Sequence, residues 1–265
     1  SRYSHEQEWA SPGYYGVDLL DYGVKAEMTS GIRSGILQFT YPESDSSFIL
    51  LDMNHTLWQS CPWSNLRVEN DSTLVGYKLV KGWGPERHVY FTAVFSKPFR
   101  DFGIMQDTIP VKYNTNRFRS SLEAWGKDLR FWMRFPTRQG EMVTMKTAVS
   151  AVSSDGAKLN MQELEGKTFA SLKAEGEKLW EGQLSKFKIE ATPEQRETFY
   201  TSVYHAFLHP FIFQDADGKF RELDKNIGQA EGFTNYTVFS LWDTYRALHP
   251  LFNLVQRDIN ADIVN

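Results

Sequence analysis

Val24-Lys-Ala-Glu-Met-Thr29 alternates apolar and polar side chains without a break, which is the period of a strand with one face in a core and the other in water. Tyr22-Gly23 ahead of it supplies turn chemistry. The same kind of segment recurs at Ile36–Tyr41, Phe48–Met53, Leu74–Val80, Val89–Phe95, Leu129–Phe135 and Met142–Val152. Short polar turns separate these runs, and no amphipathic helix intervenes. Strands of this length at this spacing predict an antiparallel β-sandwich over residues 1–155. The opening Ser1–Pro12 is polar and reads as an irregular entry loop, and its His5, Glu6 and Glu8 receive no chemical role.

Past Ser153-Ser-Asp-Gly156 the period changes. Phe169, Leu172 and Leu179 recur on one face among Lys and Glu, so residues 161 to 186 read as a single charged amphipathic helix within a linker spanning 156–191. Gly166 and Gly176 weaken that helix by about 1 kcal/mol each relative to alanine. Thr192-Pro-Glu-Gln195 then places Thr at an N-cap, Pro at the first helical position and Gln at the third, a strong helix start. Phe199, Val203 and Phe207 form one apolar stripe and Tyr200, Tyr204 and Leu208 another, which predicts a helix buried over a wide face. His205 and His209 have the spacing of a metal pair, but Ala206 stands where a zinc-protease helix needs Glu. Core or interface histidines are the expectation.

Composition excludes several functions. A net charge of -4 and a pI near 5.9 leave no footprint for nucleic acid or an anionic membrane. No run approaches the ~18 apolar residues of a membrane span. Cys61 is the sole cysteine, so neither an internal disulfide nor a thiolate metal cluster can form. The 8 Trp and 12 Tyr suit carbohydrate faces and domain interfaces alike.

Chemistry concentrates in Thr234-Asn-Tyr-Thr-Val-Phe-Ser-Leu-Trp-Asp-Thr-Tyr-Arg-Ala-Leu-His-Pro250. Ser240 followed three residues later by Asp243 predicts a helix from Ser240 toward Leu248, stopped by Pro250. Trp242, Asp243 and Arg246 then share one end and one side of that helix. Two readings stand. Asp243 caps its helix and pairs with Arg246 while Trp242 fills a core, or an indole face beside a carboxylate and a guanidinium grips a sugar ring. Among the tryptophans next to turn residues, Trp83 in Gly82-Trp-Gly84 is the one expected to face a sugar cleft. Asp215-Ala-Asp217-Gly218 has the look of a calcium loop, but Phe213 would fill the position that needs a carboxylate, so a tight turn between helices is expected.

Ser240-Leu-Trp-Asp-Thr-Tyr-Arg-Ala-Leu-His-Pro250 resembles the S-L-W-D-T-[FY]-R-x-x-H-P signature of glycoside hydrolase family 92, calcium-dependent exo-acting α-mannosidases. Tyr200-Thr-Ser-Val-Tyr-His-Ala-Phe-Leu-His-Pro210 is similar to the family's Y-x-x-x-Y-H-x-x-L-x-P helix, and Asp215 to Arg221 to its D-x-D-G-x-[FY]-R turn. Ser4-His-Glu-Gln-Glu-Trp-Ala-Ser-Pro-Gly-Tyr-Tyr15, Gly82-Trp83, Val89-Tyr-Phe91 and Phe95-Ser-Lys-Pro-Phe99 resemble segments of its N-terminal domain.

The resemblance implies an N-terminal β-sandwich packed on a C-terminal (α/α)6 barrel. Of that barrel, residues 192–265 hold only the first helices, since a helix with its loop takes about 15 to 20 residues. It further implies inverting release of terminal α-linked mannose, with α-1,2 the expected linkage, from a mannose-containing glycan. Calcium is the implied cofactor, most of its ligands lying outside this chain. Asp243, Trp242, Arg246 and Trp83 are the implied substrate-binding residues. An inverting glycosidase needs an acid and a base about 6.5–9.5 Å apart, and neither family motif occurs before Asn265, so no catalytic residue is assigned and the chain alone is expected to be inactive. It reads as part of a longer, secreted or periplasmic enzyme whose natural N-terminus precedes Ser1. A non-catalytic carbohydrate-binding module and another (α/α)6 glycosidase or phosphorylase remain as alternatives.

Overall fold

A computed structural model describes residues 1–84, 86–107, 109–110 and 123–264. After a 3-10 turn at His5–Gln7 come β1 (Glu8–Ser11), β2 (Tyr14–Leu19), β3 (Val24–Ser30) and β4 (Ser34–Tyr41). β5 (Ser44–Asp52), β6 (Ser60–Val68), β7 (Thr73–Lys81) and β8 (Arg87–Phe95) follow. β9 (Asp101–Gln106), the two-residue β10 (Ile109–Pro110), β11 (Glu123–Gly126), β12 (Leu129–Thr137) and β13 (Glu141–Ser150) complete the N-terminal part. They form an antiparallel sheet of order β1-β2-β3-β4-β13-β8-β7-β6-β11 and a second of order β10-β9-β12-β5. The expected antiparallel sandwich is the fold of this part.

The alternation along β12 builds the space between the sheets. Leu129, Phe131, Met133 and Phe135 point inward and meet Leu66, Leu74, Ala93, Phe95 and Val143 of the larger sheet. The rings of Phe95, Phe99 and Phe131 lie 5.2 to 6.3 Å apart, tilted or edge-on, the arrangement that ring quadrupoles favour. On the opposite face of β12, Arg130 pairs with Asp52 at 3.1 Å and Arg134 with Asp101 at 2.5 Å, each directly across a strand pair.

Two segments depart from the sequence reading. Residues 8–11, expected to be irregular, pair with β2 as an edge strand. Cys61-Pro-Trp63, whose proline suits a turn, lies inside β6, where a register shift between Ser60 and Trp63 lets proline sit at an irregularity.

Helices α1 (Ser154–Met161) and α2 (Phe169–Leu184) cover the outer face of the nine-stranded sheet. Of the single helix expected over 161–186, only α2 and the last residue of α1 are α-helical, with a 3-10 turn at Gln162–Leu164 and a break between, and the rest of α1 stands where no helix was expected. Gly166 turns left-handed at φ +69°, and Thr168 and Ser171 restart the chain with a reciprocal capping box. Lys146 of β13 donates to the carbonyls of Leu164 and Lys167, satisfying the break. Leu164 and Leu172 bury against Ile36 of β4, with Met161 and Phe169 around them. Gly13, at φ +83°, brings the β1–β2 turn against the backbone of Gly176, where an added methyl would stand 3.4 Å from Gly176. Tyr14 beside it packs on Phe169 and lies under the Lys173 ammonium at 3.8 Å.

α3 (Pro193–Ala206) starts at Thr192 with the expected capping box to Gln195 and proline at N1. Of its two stripes only Val203 is fully buried. The aromatics are half-buried: Tyr204 meets Trp180 at 4.6 Å, and Phe199 and Phe207 meet Phe187. A hairpin of β14 (Lys219–Arg221) and β15 (Ile227–Gln229) follows, then α4 (Leu241–Thr244), α5 (Leu248–Val255) and α6 (Arg257–Val264). Asn253–Val264 spans the end of α5 and all of α6. Among the described residues, no helix is long and apolar enough to cross a membrane.

Candidate functional site

The stretch Ser240–Pro250 folds as two short helices rather than one. Ser240 is the N-cap of α4 but makes no side-chain capping bond, and the turn closes through Asp243 N–H to the Ser240 carbonyl at 3.1 Å. After one turn the chain resets at Ala247. Pro250, expected to stop a helix, sits in the first turn of α5, where its missing N–H would have had no intrahelical partner.

Shortness places the side chains. Leu241, Trp242, Asp243, Tyr245 and Arg246 all face outward, Trp242 with 87% of its surface exposed. Arg246 does not pair with Asp243. Its Nε donates to the Tyr245 hydroxyl at 2.6 Å, and its guanidinium lies over the Tyr245 ring at 5.4 Å. The reading in which Trp242 fills a core and Asp243 pairs with Arg246 is corrected accordingly. What stands at the surface is an indole beside a carboxylate, with a phenol-braced guanidinium one turn away. Such a set can stack on a ring face, accept from hydroxyls and donate to them.

The stretch is held from behind. Phe211–Phe213 pairs with Asn235–Thr237 through Phe213 N–H to the Asn235 carbonyl and Thr237 N–H to the Phe211 carbonyl, both 2.8 Å, about an Ile212–Tyr236 bridge. Phe239 packs edge-on to His249 and Phe252, and Phe252 to Phe207 of the α3 end. His249 Nε2 is buried with no hydrogen-bond partner among the described residues. Gln256 and Lys186 then fasten α5 to the α2 end, Gln256 bonding Gln183 at 2.8 Å and Lys186 the Val255 carbonyl at 3.1 Å.

Trp83 stands in the β7–β8 loop, 87% exposed. The loop is tied down by the Lys81–Glu86 pair at 3.3 Å and by Lys225, between β14 and β15, donating to the Glu86 carbonyl at 3.1 Å. No ring contact or hydrogen bond joins Trp83 to Trp242, Asp243 or Arg246 among the described residues. Asp215-Ala-Asp217-Gly218 is a turn, though it leads into the β14–β15 hairpin rather than between helices. Asp217 pairs with Lys219 at 2.7 Å, and that bond, the largest cause, holds its carboxyl below the usual range. His205 and His209 are both exposed, not core, and their rings contact Tyr204 and Phe211. Among the described residues no cluster of three His, Cys, Asp or Glu could hold a metal.

A second polar cluster, which the sequence reading left without a role, does form. Glu8 accepts from the Tyr15 hydroxyl at 2.5 Å and meets His5 Nδ1 at 2.6 Å. The bond from Tyr15 first, then that from His5, keeps the Glu8 carboxyl below its ordinary range, and the bond to Glu8 pushes the Tyr15 phenol up to about 12.

Residues 1–150 match the glycosyl hydrolase family 92 N-terminal domain and residues 156–265 the family's catalytic domain. The chain belongs to glycosyl hydrolase family 92. Over 99% of its length this family 92 chain is 70% identical to the family GH92 alpha-mannosidase BT3965 from Bacteroides thetaiotaomicron, with a TM-score of 0.96, and it covers 36% of that protein. The same relative in complex with mannoimidazole superposes equally well. The inverting mannosidase BT2199 of the same family, from Bacteroides thetaiotaomicron VPI-5482, shares the fold at 24% identity and a TM-score of 0.85, 98% of this chain covering 34% of that one. The family 92 chain thus spans about a third of the length of these relatives. No curated protein matches it.

Proposed function

We propose that the enzyme of which this chain forms part removes terminal α-linked mannose from glycans, with α-1,2 linkages preferred, by an inverting, calcium-assisted hydrolysis. The observation that carries the reading is 70% identity along nearly the whole chain to a protein described as an α-mannosidase and bound, in one structure, to mannoimidazole. The exposed Trp242, Asp243 and Arg246 fit the role of sugar-binding residues. Asp243 accepts from hydroxyls of the terminal mannose, Trp242 shapes the pocket wall, and Arg246, braced by Tyr245, donates. Trp83 belongs to the same reading as a sugar-facing residue on the sandwich side.

Inversion requires one carboxylic acid to protonate the leaving oxygen and one carboxylate to activate water. We assign neither to this chain, whose part is to bind and orient the terminal sugar. Calcium belongs to the proposal as a cofactor, and the residues here do not fit it: Asp217 is taken by Lys219, and Asp215 by Ser150 and Asn160. No step is therefore derived through the ion. The barrel completing the C-terminal part, and a secreted or periplasmic location, are proposed on the same family grounds.

The test measures free mannose released by the full-length enzyme from α-1,2-linked mannobiose, with and without a chelator. Release that is chelator-sensitive is expected; no release from any α-mannoside sinks the reading. In that enzyme Asp243→Ala is expected to lower kcat/KM by about a hundredfold or more, the scale of losing a charged hydrogen-bond partner in the transition state. Unchanged kcat/KM removes Asp243 from the site.

A further inference from the structure

Asp215 is buried, 3% exposed, in a segment that otherwise lies along the surface. Its Oδ2 accepts from Ser150 Oγ at 2.6 Å, at the end of β13, and its Oδ1 from Asn160 Nδ2 at 2.8 Å, in α1. Asn160, with no exposed surface, returns the bond: its Oδ1 accepts from Ala216 N–H at 2.8 Å, while its Nδ2 also reaches the Val149 carbonyl. Ser150 Oγ in turn accepts from the N–H groups of Val152 and Ser153. Each polar group in this buried set has a partner, which gives a network one geometry.

Gly156 makes the approach possible. A methyl there would overlap Asp215 Oδ2 and stand 2.7 Å from Ser150 Oγ. Two arginines flank the joint. Arg33, paired with Glu163 at 2.6 Å, donates to the Gln214 carbonyl, and Arg221 donates to the carbonyls of Ala151 and Val152.

The joint connects to the candidate site through bonded backbone. Gln214 Oε1 accepts from Asn235 N–H at 2.6 Å, and Phe211–Phe213 pairs with Asn235–Thr237, three residues before Ser240. We propose that Asp215 is a positioning residue: it sets where Trp242, Asp243 and Arg246 stand relative to the sandwich, and hence the fit of the terminal sugar. The proposal rests on the sugar-binding reading of residues 242–246. The D-x-D-G turn serves registration between the two parts of the chain, and a misplacement of about 1 Å in binding groups costs up to a hundredfold in catalysis.

The experiment uses the full-length enzyme and four variants: Asp215→Ala, Asp215→Asn, Gly156→Ala, and Gly156→Ala combined with Asp215→Ala. Mannoimidazole affinity is measured by calorimetry, alongside kcat, KM and hydrogen exchange of residues 235–246. Asp215→Ala is expected to weaken mannoimidazole binding by about tenfold to a hundredfold and to speed exchange in 235–246. Asp215→Asn, which keeps the shape, retains most of the affinity. Gly156→Ala alone reproduces the loss, and the double variant is no worse than Asp215→Ala, because the methyl then occupies the space the carboxylate left.

A role confined to stability predicts a lowered melting temperature with normal affinity and exchange in the folded fraction, and that result overturns the proposal. Should Asp215→Ala fail to fold, Ser150→Ala is read in the same way: a smaller loss of affinity with faster exchange supports the proposal, and no change in either overturns it. If the wild-type enzyme does not bind mannoimidazole, the sugar reading fails on its own, and the exchange of 235–246 decides the positioning role.

Discussion

The sandwich and the segment after Pro193 are built on opposite principles. Between its sheets the sandwich hides Leu66, Leu74, Leu129, Phe131 and Val143 completely, from strands remote in sequence. In the segment after Pro193, among the described residues, Val203, Asp215, Gly218 and Phe252 are the only buried positions. Its order comes from half-buried rings, backbone pairing and the carboxylate inserted between β13 and α1. The first region carries its own core. The second borrows rigidity from its neighbour, and three of the four candidate sugar-binding residues, Trp242, Asp243 and Arg246, lie on the region that borrows.

Truncating one phenylalanine in each region tests that contrast most strongly. Phe131→Ala should cost about 3–5 kcal/mol through lost burial and a cavity that the surrounding sheets cannot close, and lower the whole unfolding transition seen by calorimetry. Phe252→Ala, in a setting more able to relax, should cost less, and its hydrogen exchange should quicken in α5 and residues 234–246 while β12 stays protected. Equal global losses from both would abolish the distinction.

A smaller effect probes the contact between the sandwich and α2. Gly13→Ala forces a side chain into a left-handed backbone and presses on Gly176, so a loss of about 1–2 kcal/mol is expected, read from denaturant midpoints. An unchanged midpoint would mean that the β1–β2 turn does not anchor the helix.

The smallest effect lies at the edge strand. With its folded carboxyl held low, Glu8 contributes stability that is present above the ordinary carboxylate value of about 4.3 and is lost as pH falls through the lowered folded value. Tyr15 runs the other way: its contribution is complete below the ordinary phenol value of about 10 and fades as pH rises toward about 12. Tyr15→Phe removes the larger cause of the Glu8 shift, so the acid-side fall in melting temperature that Glu8 contributes should shrink, and the share of the alkaline slope that belongs to Tyr15 should vanish. Superimposable pH profiles would show the pair to be energetically silent.

Strands with strict alternation, such as Val24–Thr29 and Leu129–Phe135, were legible because one buried face leaves one register available. The start of α3 was legible because Thr192, Pro193 and Gln195 each act locally. Illegible features depended on choices that a local pattern leaves open. Gly166 reads as a weak spot in a long helix until the Thr168–Ser171 box shows that a second helix begins there. Proline at 250 fits the end of one helix or the first turn of the next, and only the fold decides. Family resemblance pointed to Trp242, Asp243 and Arg246, but the preference of Arg246 for Tyr245 over Asp243 depends on a helix one turn long. The burial of Asp215 was hidden for another reason: its partners, Ser150 and Asn160, lie 65 and 55 residues away.

Ile36 and Tyr41 lie on one strand and face opposite ways, Tyr41 into the space between the sheets and Ile36 onto α1–α2 and the turn between them. β4 is thus a shared wall, and the two helices belong to the sandwich in energy although nearly all of their residues fall in the stretch that matches the family's catalytic domain. A fragment cut just beyond β13 would leave Ile36 bare and prone to self-association. One cut after Leu184 keeps that wall covered on both sides, so soluble expression of the N-terminal half depends on carrying both helices along with it.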